Sequence, residues 1–338
     1  MRIASLLPSA TEMVHFAGAG DSLVGVTHEC DHPSGVEKLP KLTRSKVDSS
    51  MSSAGIDAAI GSILTDGGSI YALDAGLLEE LAPDLIITQG LCEVCAVSTD
   101  LVHEVAAELK NPPDIISLNP VCLEDVLHDA VRVGESVGRG EETRRKVTTL
   151  RERLARVEEA VAGLDRPRAG CIEWLDPPFS AGHWVPEMVR IAGGEEVFAG
   201  PGEPSMRLTW KKVFDAAPEI LVLMPCGFDV ERAVGEARHL PGLPGWSELP
   251  AVKSGRVWAV DANSHFSRPA PRLVEGVEIL ARILHPEVFP DALDPKDAVR
   301  LVDRLLRGNP GGPDEGQDEG RGFAVGLVEG VTSRAVCE

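Results

Sequence analysis

Residues 2–33, RIASLLPSATEMVHFAGAGDSLVGVTHECDHP, constrain this chain more than any other stretch, because they set strand, turn, helix, strand and polar loop in immediate succession. The apolar run at 3–7 is stopped by Pro8, and Ser9 and Thr11 offer capping hydroxyls ahead of Glu12 and the helical spacing Met13, Val14, Phe16, Ala17. Gly18 and Gly20 end that helix. A second strand at 23–26 runs into a loop carrying His28, Glu29, Cys30, Asp31 and His32. A strand returned through a helix to another strand makes a parallel α/β unit, and such sheets bind ligands beyond the carboxyl ends of their strands.

The alternation continues along the chain. A helix is predicted at 77–81, a strand at 84–88, a helix at 98–109 and a strand at 114–118. Residues 45–74, rich in Ser, Gly and small side chains, read as an elaborated loop at the ligand cleft, with a helix at 55–62 and a turn at 66–68. From Val147 the apolar residues Leu150, Leu154, Val157, Val161 and Leu164 recur every three or four positions, with charged residues on the other faces. This is one amphipathic helix of roughly 20 residues, about 30 Å long. Strands at 169–174, 219–224 and 256–260 then alternate with helices at 185–191, 229–238 and 271–284, and Thr209 caps a further helix.

The pattern and the length predict an α/β protein with two Rossmann-like domains, connected through the long helix, and a tail. The expected divisions are an N-terminal lobe at 1–120, a helical connection at 121–166, a C-terminal lobe at 167–290 and an extension at 291–338. The Gly-, Pro- and acid-rich segment 309–321 is expected to be disordered.

A chain of 338 residues with 43% hydrophobic and 25% charged content has the composition of a soluble globular protein with two cores. The net charge of -20 excludes a nucleic-acid backbone as partner. No apolar run reaches the roughly 20 residues of a membrane span. Seven cysteines, an odd number scattered through the chain, point to reduced thiols. The first strand begins at residue 2, which leaves no room for a signal peptide and predicts a cytoplasmic protein, exported only if the given start truncates a leader.

SLLPSATEM, VGVTHECDHP, LAPDLIITQG at 81–90, LDPPFSAGHWVPEM at 175–188 and SHFSRPAPRLVEGVE at 264–278 together resemble the corrinoid-binding branch of the ABC-transporter solute receptors. This is a bilobal family with a helical backbone whose members bind cobalamin, siderophores or haem. The resemblance implies a non-catalytic protein that holds cobalamin or a related corrinoid between its lobes. A haem or ferric siderophore receptor is the first alternative. A siderophore would call for several cations in the cleft, where the loops offer mainly Arg44, Arg207 and Arg268.

The resemblance places His32 where related receptors stack an aromatic on the ligand, and Phe179 at a family aromatic of the facing lobe. Trp184, His265, Phe266 and Arg268 are further candidate contacts, with Trp210 and Trp246 as candidates that core packing explains equally well. Arg268 suits either amide oxygens of the ligand or a brace within its own loop. The pair Cys92 and Cys95 is not explained by the resemblance. Thiolates two residues apart converge on one metal, and Cys30 and His28 are candidate further ligands, so a corrinoid cobalt, a zinc ion or a metallochaperone role stands beside the alternative of buried thiols. Exported relatives dock on their permease through one glutamate per lobe. Here Gly76 and Lys211 fall at those positions, which argues against permease docking, although Glu79, Glu80 and Glu203 lie nearby.

Overall fold

A computed structural model describes residues 1–65, 68–90 and 97–301. Cys92 and Cys95, two residues of the expected turn at 66–68, and the segment 309–321 therefore lie outside the described residues.

The N-terminal lobe begins with β1 (Ile3–Ser5), α1 (Pro8–Phe16) and β2 (Leu23–Gly25). The expected hydroxyl cap of α1 does not form: Leu7 holds the cap position in extended conformation, and Pro8 opens the first turn. Proline pre-sets the helical φ and lacks an N–H needing a cap. Thr11 is used elsewhere, its hydroxyl donating to Ser5 Oγ at 2.8 Å. There follow β3 (Thr43–Ser45), α2 (Ser53–Thr65), β4 (Tyr71–Leu73), α3 (Ala75–Leu81), β5 (Leu85–Gln89), α4 (Thr99–Glu108) and β6 (Asp114–Leu118). The sheet has the order β2-β1-β5-β6 and is parallel throughout. Apart from it, β3 and β4 pair as an antiparallel hairpin whose long connection is α2 with its flanks. This is the elaborated loop expected at 45–74, and its helix is longer than the one predicted at 55–62.

Two helices, α5 (Leu123–Ser136) and α6 (Gly140–Ala160), connect the lobes. They pack so closely that a methyl group on Gly134 would sit 2.2 Å from Thr143 Oγ1. Helix α6 is the predicted amphipathic helix, 21 residues long. Its Val147, Leu150 and Val157 are buried. Lys146 Nζ donates to Phe16 O of α1 at 2.8 Å, tying α6 to the first lobe.

The C-terminal lobe is built from β7 (Arg168–Leu175), β8 (Pro178–Ser180), α7 (Val185–Ile191), β9 (Glu195–Glu196), α8 (Trp210–Ala216), β10 (Ile220–Leu223), α9 (Val230–Glu236), α10 (Pro250–Lys253), β11 (Val257–Val260), α11 (Ala262–His265), α12 (Leu273–Leu284) and β12 (Ala298–Arg300). Its sheet has the order β12-β11-β10-β7-β8, with β9 on β7. β12 pairs antiparallel with β11, so the sheet takes in residues 298–300, which were expected in the extension starting at 291. Arg153 of α6 makes a bidentate pair with Glu278 of α12, at 2.9 and 2.8 Å.

One apolar core runs through both lobes. It passes from Ile3 and Met13 through Val126, Val133 and Val147 into Met188, Val277 and Leu280. A continuous close-packed core resists shear, so the lobes are coupled by packing as well as by chain connection.

Glu196 is the buried acid of this lobe. It accepts the backbone N–H groups of Cys171, Phe198 and Ala199 at 3.1, 2.6 and 2.7 Å. Burial outweighs these bonds and pushes its pKa up from 4.5 to about 7. A carboxyl with a higher pKa folded than unfolded keeps its proton longer in the native state. The folded protein therefore binds more protons between pH 4.5 and about 7, and stability falls as pH rises through that window. The fall should reach about 3 kcal/mol, and Glu196→Gln should flatten it; equal slopes in chemical melts of both proteins from pH 4.5 to 7 would refute the assignment.

Candidate functional site

Loops that follow the parallel strands of both sheets meet between the lobes, and two groups of side chains join them there. The first is a compact ion cluster. Glu12 of α1, with only 3% of its side chain exposed, receives Arg272 in a bidentate pair at 2.8 and 2.6 Å. Arg268 Nη1 lies 3.5 Å from the same carboxylate and 2.5 Å from Asp31 Oδ1, while its Nη2 donates to Asp31 Oδ2 at 3.0 Å and to Glu29 O at 3.1 Å. Asn263 Nδ2 adds a bond to Asp31 at 3.0 Å. The two arginines belong to the C-terminal lobe and the two acids to the N-terminal lobe. Burial opposes ionisation of Asp31, but the hydrogen bonds and charge of Arg268 hold its pKa below the usual carboxylate value. Burial likewise opposes the charge on Arg268, and Asp31 more than restores it.

The second group is made by α2 and the residues before it, which reach across to the other lobe. Ser53 Oγ donates to Glu236 Oε2 at 2.6 Å, Trp174 Nε1 donates to Ser53 O at 3.2 Å, and Arg232 Nη2 donates to Met51 O at 3.1 Å. Asp57 accepts both bonds of an Arg207 nitrogen at 3.0 and 2.9 Å. The Arg207 guanidinium in turn lies 5.3 Å from the centre of the Phe179 ring. The segment thus forms a strap over the cleft, with Arg207 roofing Phe179.

A small cavity of about 10 Å³, room for one water, is lined by Leu6, Pro8, Thr27, His28, Glu29, Thr43, Tyr71 and Val97. A separate, open groove of about 520 Å³ lies along Ser49, Ser50, Arg232, Gly235 and Glu236. Pockets for drug-sized ligands span roughly 300–1,000 Å³, so the groove has that size and the small cavity does not.

The sequence-predicted residues divide between this region and the core. His32 is exposed at the rim of the ion cluster, where burial of its ring and the charge of Arg272 lower its pKa. Phe179 is half-buried in β8, paired with Trp174 of β7. Trp184 and Phe266 are buried, and the Trp184 indole donates to Phe266 O at 2.8 Å, so both serve as packing. His265 is buried beside Asp297 at 3.4 Å and Glu275 at 3.7 Å. Its backbone carbonyl sits where a methyl group on Gly276 would reach within 2.3 Å, which fixes the loop bearing Arg268. Arg268 takes the bracing role of its two readings. Trp210 and Trp246 stack edge-on at 6.2 Å within the lobe core.

The expected metal set is not assembled among the described residues. Cys30 is buried with its sulfur 3.2 Å from both Thr11 Oγ1 and Thr27 Oγ1, and no three His, Cys, Asp or Glu residues converge on one point among those described. Four contributors went unrecognised in the sequence: Glu12, Arg272, Trp174 and Tyr71. Glu12 had the spacing of a helical surface residue, and only the docking of the second lobe buries it.

This architecture, two α/β lobes closing on one cleft from either end of a helical connection, is that of a solute-binding protein. Residues 3–263 match the periplasmic binding protein family, and the chain belongs to it. The vitamin B12-binding protein of Vibrio cholerae is 25% identical over 281 residues, covering 82% of this chain and 86% of the relative. An uncharacterized ABC transporter substrate-binding lipoprotein of Bacillus subtilis, YvrC, is 25% identical over 296 residues, covering 85% and 81%. Among solved structures, the periplasmic vitamin B12-binding protein BtuF of Vibrio cholerae superposes with a TM-score of 0.62 at 23% identity, covering 86% of this chain and 98% of that one. A periplasmic heme-binding protein from Pseudomonas aeruginosa gives 0.64 at 18% identity, covering 84% and 92%.

These relatives overturn the cytoplasmic assignment, since they are periplasmic proteins or lipoproteins. The inference from the first strand was unsound physically, because a leader is cleaved from the mature fold and the position of β1 carries no record of it. Among the described residues no helix is long and apolar enough to cross a membrane.

The ion cluster makes a direct prediction. Arg272→Met leaves the buried Glu12 carboxylate without its bidentate partner, which should cost about 3–5 kcal/mol of stability. The double variant Glu12→Gln, Arg272→Met should recover much of that loss in thermal melts; a single variant as stable as the parent would show that the cluster carries no such coupling. At the strap, Asp57→Asn should speed hydrogen exchange across 51–65 while leaving α6 unchanged.

Proposed function

We propose that this protein binds a corrinoid, cobalamin or a precursor, between its lobes and releases it unchanged. The observation that carries the reading is the occupation of the cleft's cations. Arg207 is paired with Asp57, Arg232 with a backbone carbonyl, and Arg268 and Arg272 with Asp31 and Glu12. Arg44 lies 3.8 Å from Asp74. A ferric siderophore or the propionates of haem would need such groups uncompensated, whereas a corrin fringed by neutral amides needs aromatic walls and a few polar contacts. Phe179 and Trp174 on one lobe, with Tyr71 and His28 on the other, supply those walls. The vitamin B12-binding relatives support the same choice. Haem is the second reading, favoured by the heme-binding neighbours of the fold.

Titration with cyanocobalamin, aquocobalamin and haemin separates the readings. One corrinoid site per chain is expected, with a rise in melting temperature by mass action. Binding of haemin alone would select the second reading, and binding of none at tens of micromolar would reject both. Phe179→Ala should weaken corrinoid binding by roughly 1–3 kcal/mol, as expected for a central aromatic contact. Permease docking has a separate test: Lys211 is exposed and paired with Asp215 at 2.6 Å, and Gly76 lies in α3, so neither presents an acid to a permease arginine. Exposed Glu79 and Glu80 stand close to Gly76 in α3 and exposed Glu203 lies on the other lobe, and loss of permease association in alanine variants of one of the first two and of Glu203 would identify a shifted docking pair.

A further inference from the structure

We propose that residues 51–65, α2 and the two residues before it, are a lid that lifts from an aromatic face of the C-terminal lobe to admit the ligand. The inference rests on the corrinoid reading and adds to it the step that gates entry. Trp174 and Phe179 are paired across β7 and β8, which puts their side chains on one face of the sheet. The Trp174 ring meets that of Phe228 edge-on, with centres 5.4 Å apart. A row of rings thus runs from half-buried Phe179 and Trp174 to Phe228, the kind of flat apolar face a macrocycle needs. An arginine covers each end of the row. The Arg207 guanidinium lies 5.3 Å from the centre of Phe179, and that of Arg232 lies 3.6 Å from the centre of Phe228.

The strap is fastened across this row. The Trp174 indole donates to Ser53 O, and both arginines are held as well, Arg207 by Asp57 and Arg232 by Met51 O. Ser53 completes the attachment by donating its hydroxyl and its N–H to Glu236 Oε2, at 2.6 and 3.3 Å. Packing adds little to these polar bonds. Of the 13 residues of α2 only Ser53 and Ile56 are buried, whereas α12 buries nine of its 12. A helix fixed to the core buries an apolar stripe, but α2 leaves Leu64 39% exposed. Water replaces exposed polar bonds at small net cost, so the strap can leave the second lobe without disturbing the core that both lobes share. The open groove along Ser49, Ser50, Arg232 and Glu236 lies at the same seam between strap and α9. Lifting frees one cation, Arg207, while Arg232 stays beside Asp229 and Glu236 at either end of its own helix.

A gate of this kind scales the rate of ligand binding with the fraction of chains whose lid is open. Stopped-flow mixing of the full chain with cyanocobalamin reads that rate. Cyanocobalamin carries no net charge, so release of Arg207 does not steer it. The double variant Ser53→Ala, Asp57→Asn removes the hydroxyl bond to Glu236 and the ion pair, and is expected to bind about tenfold faster. Hydrogen exchange of the ligand-free variant across 51–65 should quicken by a similar factor, with α6 unchanged. Lys253→Ala, at the exposed pair with Glu248, should alter neither reading. A double variant that binds cyanocobalamin no faster than the parent overturns the lid and leaves corrinoid binding standing. If cyanocobalamin does not bind, the corrinoid reading fails for this ligand and hydrogen exchange of the parent decides the lid. Amides of 51–65 that open far more often than those of β10 uphold it, and amides that exchange only in step with β10 overturn it.

Discussion

The pairing of Glu12 and Asp31 with Arg272 and Arg268 is the constraint on which the geometry of the cleft depends. The two acids come from one lobe and the two arginines from the other, so the cluster forms only when the lobes stand in a single relation. Glu12, Arg268 and Arg272 are largely withdrawn from water, which none would tolerate unpaired, while Asp31 stays half exposed. Such a cluster contributes little net stability compared with apolar packing, but it penalises misalignment, because displacing a partner of Glu12 strands a buried charge. The continuous core through α1, α5, α6 and α12 resists shear, and the cluster sets register. A receptor built this way holds its two walls at a nearly fixed separation. That suits a rigid, flat ligand better than a flexible one.

Against this stiff frame, the strap is the compliant part. Its contacts to the second lobe are a carboxylate to a serine, two backbone carbonyls and one ion pair in which Arg207 is more than half exposed. Exposed pairs of that kind are worth about 0–1 kcal/mol. The difference in strength between buried cluster and exposed strap places motion at the mouth of the cleft, with little left for the angle between the lobes. Local opening of a weakly held segment requires far less free energy than separation of two lobes that share a core.

Much of the frame was legible in the sequence because it follows from period and punctuation. The amphipathic spacing from Val147 to Leu164 marked the backbone helix, and the run at 114–118 coincides with β6. The helix in the 45–74 segment was visible for the same reason. What escaped depends on contacts between residues far apart in the chain. Thr43 pairs with Leu73 and Tyr71 with Ser45 across the β3–β4 hairpin, yet neither strand has the length or alternation that marks a strand. β12 is likewise three residues long and earns its state from β11. The candidate site was legible only as a set of loops. Phe179 is half-buried beside the Arg207 guanidinium, whereas Trp184 and Phe266, with the same composition signature, lie in the core. An aromatic residue in a loop does not reveal whether its ring faces the ligand or the neighbouring helix. Arg268 shows the same limit: the sequence left it open between a ligand contact and a brace within its loop, and its carboxylate partner is more than two hundred residues away.

The hairpin gives the strap and His28 a common support. β3 supplies Thr43 to fix His28, β4 supplies Tyr71 to pack on its ring, and the strap is the connection between those two strands. Lifting the strap therefore cannot be mechanically independent of the His28 side chain, since both hang from the same pair of short strands. A contact that moves His28 would bear on Thr43 and Tyr71 and, through them, on the ends of the strap. A contact at Phe179 would act on the strap through Arg207 and Asp57 instead. The strap is thus linked to the first lobe at its base and to the second near its middle, by separate routes.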